Sequence, residues 1–299
     1  MGGLSEARPA LSAAQILDGW LRDYSAEVTT PDRKSLDTAA ALMRPNSPVY
    51  IASLPKDDSD KQLQVAIQLT ELGLRPVPHI VARNLQDMAA LESAVERFAK
   101  LAKVDRALVL AGDRDQPAGE LHSAIQLIRS GVFEANGIRR IAIACYPEGH
   151  PRITDDVLDA ALLEKLEAAD AANLNVRLIT QLCFDAEAIV RFVGGLRDRG
   201  VTADIRVGLA GPAKVATLLK YAAICGVGPS LRALRERQSM TRALLGAITP
   251  ARIVADLAKH MAGSPELAIT GLHFFTFASL RSTIEWAASE LHEGSEITE

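Results

Sequence analysis

Along the chain, short runs of apolar and β-branched residues alternate with longer stretches in which apolar positions recur every three or four residues. The first pattern reads as buried strands and the second as amphipathic helices. The strand-like runs are residues 25–29, 48–53, 75–80, 107–111, 140–145, 176–180, 204–208 and 268–274; the helical stretches include 59–72, 85–101, 121–130, 154–169, 186–199 and 212–223. Thr154-Asp155-Asp156 and Asp185 stand where N-caps belong, and Gly73 and Gly200 where helix C-caps belong. Strands separated by helices make parallel βα units. Eight such units in 299 residues predict a (β/α)8 TIM barrel, with a doubly wound open sheet as the alternative. Residues 226–263 are too many for a loop and are expected to add helices at 231–237 and 253–261 before the last strand. The barrel is expected to occupy 1–299 as one domain, with a core from about 25 to 290 and frayed polar segments before about Leu11 and after about Leu291.

Composition changes this picture mainly by exclusion. A hydrophobic content of 48% supports one large core. A net charge of -4, with no Lys/Arg-rich run, gives no electrostatic reason to expect nucleic acid or an anionic membrane surface as partner. Small molecules are the expected partners, and nothing in the sequence speaks against a homo-oligomer. Cys145, Cys183 and Cys225 are far apart and form no CxxC pair, against a disulfide framework or a zinc ribbon. No signal-peptide pattern opens the chain, and no apolar run approaches the ~20 residues that span a bilayer, so a soluble, cytoplasmic protein is expected. No Gly-x-Gly-x-x-Gly or Walker A loop follows a strand, which argues against Rossmann and P-loop nucleotide sites.

In a barrel, chemistry collects at the C-terminal ends of the strands. The most informative strand end is Tyr146-Pro-Glu-Gly-His150-Pro151, a polar, proline-bounded loop directly after the apolar run Ile141 to Cys145. Glu27 lies between Ala26 and Val28 in the first strand. Facing the lumen, it would be desolvated, its pKa raised towards that of a general acid; facing outward, it would be an ordinary solvated carboxylate. Pro78-His79 ends the third strand, and no second His stands at metal-ligand spacing, so no metal site is expected. After the fourth strand, Gly112 would let the backbone approach a ligand and Asp113 would project into the mouth, although Gly-Asp is also an ordinary turn. Gln181 ends the sixth strand with an amide that both donates and accepts. His273-Phe274-Phe275-Thr276 clusters rings in a chain with only 4% aromatics, suited either to stacking a planar ligand or to core packing.

Together these pieces resemble the methylenetetrahydrofolate reductase family over about Ser25 to Trp286. The most specific are Tyr146-Pro-Glu-Gly-His150-Pro151, Ile179-Thr-Gln-Leu-Cys-Phe-Asp185 with Arg191-Phe192, and Gly271-Leu-His-Phe-Phe-Thr276; Pro78-His79 and Gly112-Asp113 follow the same order. The resemblance implies a (β/α)8 flavoenzyme of folate one-carbon metabolism and methionine biosynthesis. FAD would pass hydride by ping-pong transfer from NADH or NADPH, NADH by preference, to 5,10-methylenetetrahydrofolate. It implies that Glu27 is the acid for ring opening, that Asp113 lies beside pterin and flavin, and that Gln181 contacts the folate. It also places Ser53, His79, Ala111, Gly112, Arg114, Tyr146, His150 and Arg152 around the cofactor, and Phe275 and Arg281 at the folate.

The chain departs from the family pattern at several of these positions. Glu27 is followed by Val28-Thr29-Thr30-Pro31 in place of aromatics and prolines, and the second strand ends Ala52-Ser53-Leu54-Pro55-Lys56. Ala111 replaces the arginine before Gly-Asp, and the lysine expected ahead of the sixth strand is missing from Ala168-Ala169-Asp170. Arg114 and Arg152 are the substitutes left for the flavin phosphates. Ala278-Ser279 replaces Asn-Arg, which leaves Arg281 for the folate tail. The sequence therefore leaves open reverse operation as a methyltetrahydrofolate oxidase, direct flavin-independent transfer, and a non-catalytic folate- or flavin-binding protein.

Overall fold

The computed structural model describes residues 11–29, 31–54, 59–227 and 247–296. Eight parallel strands close a barrel: β1 (Ser25–Val28), β2 (Pro48–Ile51), β3 (Arg75–Val81), β4 (Arg106–Leu110), β5 (Arg140–Cys145), β6 (Asn175–Thr180), β7 (Asp204–Ala210) and β10 (Ile269–Phe275). β10 lies between β7 and β1, and β2 closes the ring against β1. Two short strands, β8 (Ala213–Lys214) and β9 (Ala247–Ile248), pair antiparallel outside the ring. The fold is thus the (β/α)8 barrel, not the open sheet.

The strands read as near-continuous apolar runs because both their faces are covered. Outward residues such as Ala26, Val49, Val109, Ile143 and Phe274 join the large core beneath the helices. Inward ones, Tyr50, Val77, Leu108, Ala142 and Ile179, form a separate cluster that fills the lumen. Helix starts follow side-chain chemistry: Asp32, Asp87 and Asp185 each accept a backbone N–H at a helix N-terminus. Thr154 is the N-cap of the helix Asp155–Ala171, whose first turn carries Asp155 and Asp156. Gly73 and Gly200 sit at φ 74° and 78°, the left-handed geometry of a helix end.

Some elements differ from those expected. The helix expected over 121–130 starts later, as Ala124–Ile128, because Ser123 caps it with Gln126. Gly131 at φ 73° then breaks the chain before the short turn Val132–Ala135. Of the two added helices, one is Ala251–Gly263, and 231–237 lies outside the described residues. The last helix, Leu280–Glu296, extends past Leu291, and the segment before Leu11 lies outside the described residues. Among the described residues no helix is long and apolar enough to cross a membrane.

Candidate active site

Alternation along three strands brings one carboxylate and two imidazoles together in the upper barrel. Glu27 on β1 faces the lumen, with its Oε2 3.4 Å from His79 Nε2 on β3 and 3.7 Å from His273 Nε2 on β10. His79 and His273 are 7% and 0% exposed and both Nε2 atoms are buried without a closer partner, so the carboxylate is the group they face. Behind them, His273 Nδ1 lies 3.0 Å from Ser25 Oγ, and the Tyr50 ring meets His273 edge-on at 4.7 Å and His79 at 6.2 Å. Tyr50 and Ser25 thereby fix the two imidazoles from below and from the side.

This geometry corrects the raised carboxyl pKa expected from burial. Desolvation does push Glu27 upward, but the charge of His79 and hydrogen bonding and charge from His273 outweigh it, and the carboxyl is held below its ordinary value. Burial pushes His79 downward, opposed by Glu27. The resting site is therefore an anionic carboxylate between imidazoles, one of them biased towards neutrality.

A pH dependence of stability follows. For His79 the unfolded chain takes up a proton near pH 6.5 while the folded ring resists it, so stability falls as pH drops below that value. Glu27 contributes stability above its unfolded pKa near 4.5, lost as pH falls through the lower folded value. The thermal midpoint is expected to decline between pH 7 and pH 5, and His79→Gln is expected to flatten that interval. A wild-type midpoint constant across it would contradict the assignment.

Around this centre the strand-end loops tie together. Asn84, not anticipated from the sequence, donates to Ser53 Oγ at 3.3 Å and accepts from Arg114 Nε at 2.9 Å. Arg83 donates to the carbonyls of Arg114 and Asp115, holding the loop after β4. Arg152 pairs with Asp115 at 2.7 Å, which joins the loops after β4 and β5. Tyr146 and His150 meet edge-on at 5.4 Å. Burial pushes the Tyr146 hydroxyl up to about 12, so it serves as a neutral donor. Burial and neighbouring Arg152 lower His150.

Asp113 is exposed at the mouth, and its charge reaches Tyr146, His150 and Cys225. Gly112 sits at φ 101°, and a Cβ there would overlap the side chain of Val81. Gln181 already accepts the Leu182 N–H at 2.8 Å through Oε1, leaving its amino group to donate. Phe275 packs edge-on against His273 at 5.0 Å. Arg281 is not directed to this cluster: it pairs with Glu285 at 2.6 Å along the last helix.

A cavity of about 490 Å³ opens beside the mouth, between the C-terminal ends of β4 and β5 and the helix Asp155–Ala171. Leu110, Ala111, Ala144, Tyr146 and Lys165 are among its lining residues. Lys165 is half-buried, has no ion-pair partner among the described residues, and is lowered by desolvation. Here is a basic group near the cofactor positions despite Ala111 and the alanines at 168 and 169. A sequence signal existed, because Leu158, Leu162 and Lys165 fall at i, i+4 and i+7 on one helix face, placing a lysine on an apolar stripe. His273 carried a similar signal, two residues before Phe275 on the same strand face. Cys145 and Cys183 are buried free thiols, and burial pushes Cys145 up to about 12.

The fold and the site define a (β/α)8 barrel protein with a carboxylate–imidazole cluster at its C-terminal mouth. The family model for methylenetetrahydrofolate reductase matches residues 24–287, and the chain belongs to that family. Membership places it among the folate-linked oxidoreductases of one-carbon metabolism. Among solved structures, the chain is similar to a 2,3-dimethylmalate lyase of the PEP mutase/isocitrate lyase superfamily, with 12% identity, TM-score 0.49 and coverage of 97% of this chain and 86% of that one. It is also similar to a phosphonopyruvate hydrolase, with 9% identity, TM-score 0.48 and coverage of 96% and 88%. At these values neither likeness bears on the site.

Proposed function

We propose that the protein reduces 5,10-methylenetetrahydrofolate to 5-methyltetrahydrofolate at the expense of NADH or NADPH, with FAD as resident cofactor, as a cytoplasmic enzyme. The observation that carries the reading is Glu27, a lumen carboxylate faced by two buried imidazoles beneath an open mouth. Opening the five-membered ring of the substrate needs a proton delivered to a departing amine, and Glu27 between its imidazoles is the lumen group that can take one up and pass it on. Folate entering the mouth removes the remaining 21% exposure of Glu27, which raises the affinity of the carboxylate for that proton. Asp113 places negative charge where an iminium cation would develop, and the free amino group of Gln181 can donate to the pterin.

The residues present suit a flavin. The cavity has an apolar wall that includes Leu110, Ala111 and Ala144; its polar lining is the neutral Tyr146 hydroxyl, Ser123, Lys165 and Arg199, beside the carboxylates of Glu148, Asp155, Asp159 and Glu164. Lys165, Arg114 and Arg152 would hold the phosphates, and Tyr146 and His150 would flank the ring system. When bound, FAD would supply two-electron exchange with both nicotinamide and folate. Lys165→Met is expected to weaken FAD binding about ten- to a hundredfold, the worth of a charged hydrogen bond. The same change should raise the thermal midpoint of the cofactor-free protein, because it removes an unpaired desolvated cation. Unchanged FAD affinity on fluorescence titration would remove Lys165 from the site.

Ala111, a methyl where an arginine would meet phosphate, favours a second reading: direct hydride transfer without flavin. Initial rates over a grid of NADH and folate concentrations separate the two. Parallel double-reciprocal lines are expected; intersecting lines would support direct transfer in a ternary complex.

A further inference from the structure

The opposite end of the barrel carries a second cavity, of about 410 Å³, at the starts of β4, β5, β6 and β7. That face of a (β/α)8 barrel ordinarily serves stability and is filled with side chains. Here it is hollow, and Arg106, Arg140, Arg177, Asn175, Thr202 and the carboxylate of Asp204 line it together with Tyr50. We propose that it is a binding site for an organic polyanion, a small molecule bearing two or more carboxylate or phosphate groups. The inference does not rest on the proposed reaction.

Charge and desolvation carry the argument. Arg106 and Arg140 share the single carboxylate of Asp105, both at 2.9 Å. Arg177 pairs with Asp204 at 3.1 Å, and Arg206 pairs with Asp23 at 2.8 Å. At the cavity three guanidiniums thus share two carboxylates, Asp105 and Asp204, while the Arg206–Asp23 pair lies outside its lining. Two of the three arginines are the less hydrated partners: Arg106 and Arg177 are 13% and 26% exposed, against 37% and 53% for Asp105 and Asp204. Of the lining arginines, Arg177 has its Nε atom buried without a hydrogen-bond acceptor. Unmatched donors on a planar cation suit carboxylate or phosphate oxygens.

Tyr50 lies within electrostatic reach of Arg106, Arg177 and Arg206, so its hydroxyl can add a further donor. Val77, Ile141 and Ala142 give the cavity an apolar wall, which fits a carbon-bearing anion better than a bare inorganic one. Above it, Tyr50, Val77, Leu108, Ala142 and Ile179 plug the lumen and separate this cavity from the Glu27 mouth.

The test is isothermal titration calorimetry of the full chain with citrate and, separately, with fructose 1,6-bisphosphate, at constant ionic strength set with chloride. Saturable one-to-one binding of at least one is expected; citrate alone marks a carboxylate site and the bisphosphate alone a phosphate site. Arg177→Gln and Arg140→Gln should each weaken it at least about tenfold. Arg140 is 56% exposed, so its variant keeps the test valid if the Arg177 variant does not fold. Lys165→Gln, in the upper cavity, and Arg33→Gln, on an exposed helix, should leave it unchanged. No saturable binding of either anion, or equal loss in Arg33→Gln or Lys165→Gln, would overturn the proposal and leave the arginines as neutralisers of Asp105 and Asp204.

Discussion

Glu27→Gln is expected to lower kcat/KM for NADH-dependent reduction of methylenetetrahydrofolate by about 10²- to 10⁴-fold, the range of a lost general acid–base group. The amide keeps the shape of the side chain and can still hydrogen-bond to His79 and His273, but it cannot take up or deliver a proton at pH 7. Folate affinity should therefore stay within a few-fold of wild type, while the thermal midpoint at pH 7 falls by the stability that the ionised carboxylate contributes. The split between binding and turnover is the informative part. A non-catalytic folate binder has no turnover to lose, and a purely structural carboxylate would take stability and affinity down together. Steady-state rates beside a folate dissociation constant by fluorescence quenching read both quantities on one preparation.

The second large effect is expected at Gly208. Its N–H donates to Thr180 Oγ1 at 2.7 Å, which draws β7 against β6. A Cβ added there would overlap the Thr180 carbonyl oxygen and stand 2.7 Å from Phe275 Cε2. The phenyl ring can tilt, but a backbone carbonyl in a closed barrel cannot move without parting two strands. Gly208→Ala is thus expected to cost about 1–3 kcal/mol, the usual penalty of overpacking. It should also raise the KM for folate, since Thr180 precedes Gln181 and Phe275 lies against His273. Urea unfolding measures the first and initial rates the second; a variant as stable as wild type would show that β6 and β7 yield more readily than their geometry indicates.

The barrel was legible in the sequence because parallel strands covered on both faces leave uninterrupted apolar runs. Ile141 to Cys145 is such a run, and it is β5 without its first residue, Arg140. Less visible were the helices Ala13–Arg22 and Arg33–Leu42. The second buries little beyond Ser35, Leu36 and Ala39, too sparse a stripe to stand out, although the first carries a capping box from Ser12 and Gln15. Glu27 and His79 could be singled out because a polar residue inside an apolar strand is conspicuous. Their mutual effect could not, because it depends on the β3 and β10 imidazoles reaching one carboxylate from segments far apart in sequence. For that reason burial alone suggested a raised carboxyl pKa where the folded chain lowers it. Arg106, Arg140 and Arg177 belong to three separate strands, and only closure of the ring brings them to a common cavity.

The most direct test of the reductase reading is an anaerobic visible spectrum of the purified protein, recorded alone, after NADH, and after methylenetetrahydrofolate. Flavin bands that bleach with NADH and return with folate are the predicted result. A protein that shows no flavin band, even after incubation with FAD, would contradict the flavin-mediated account.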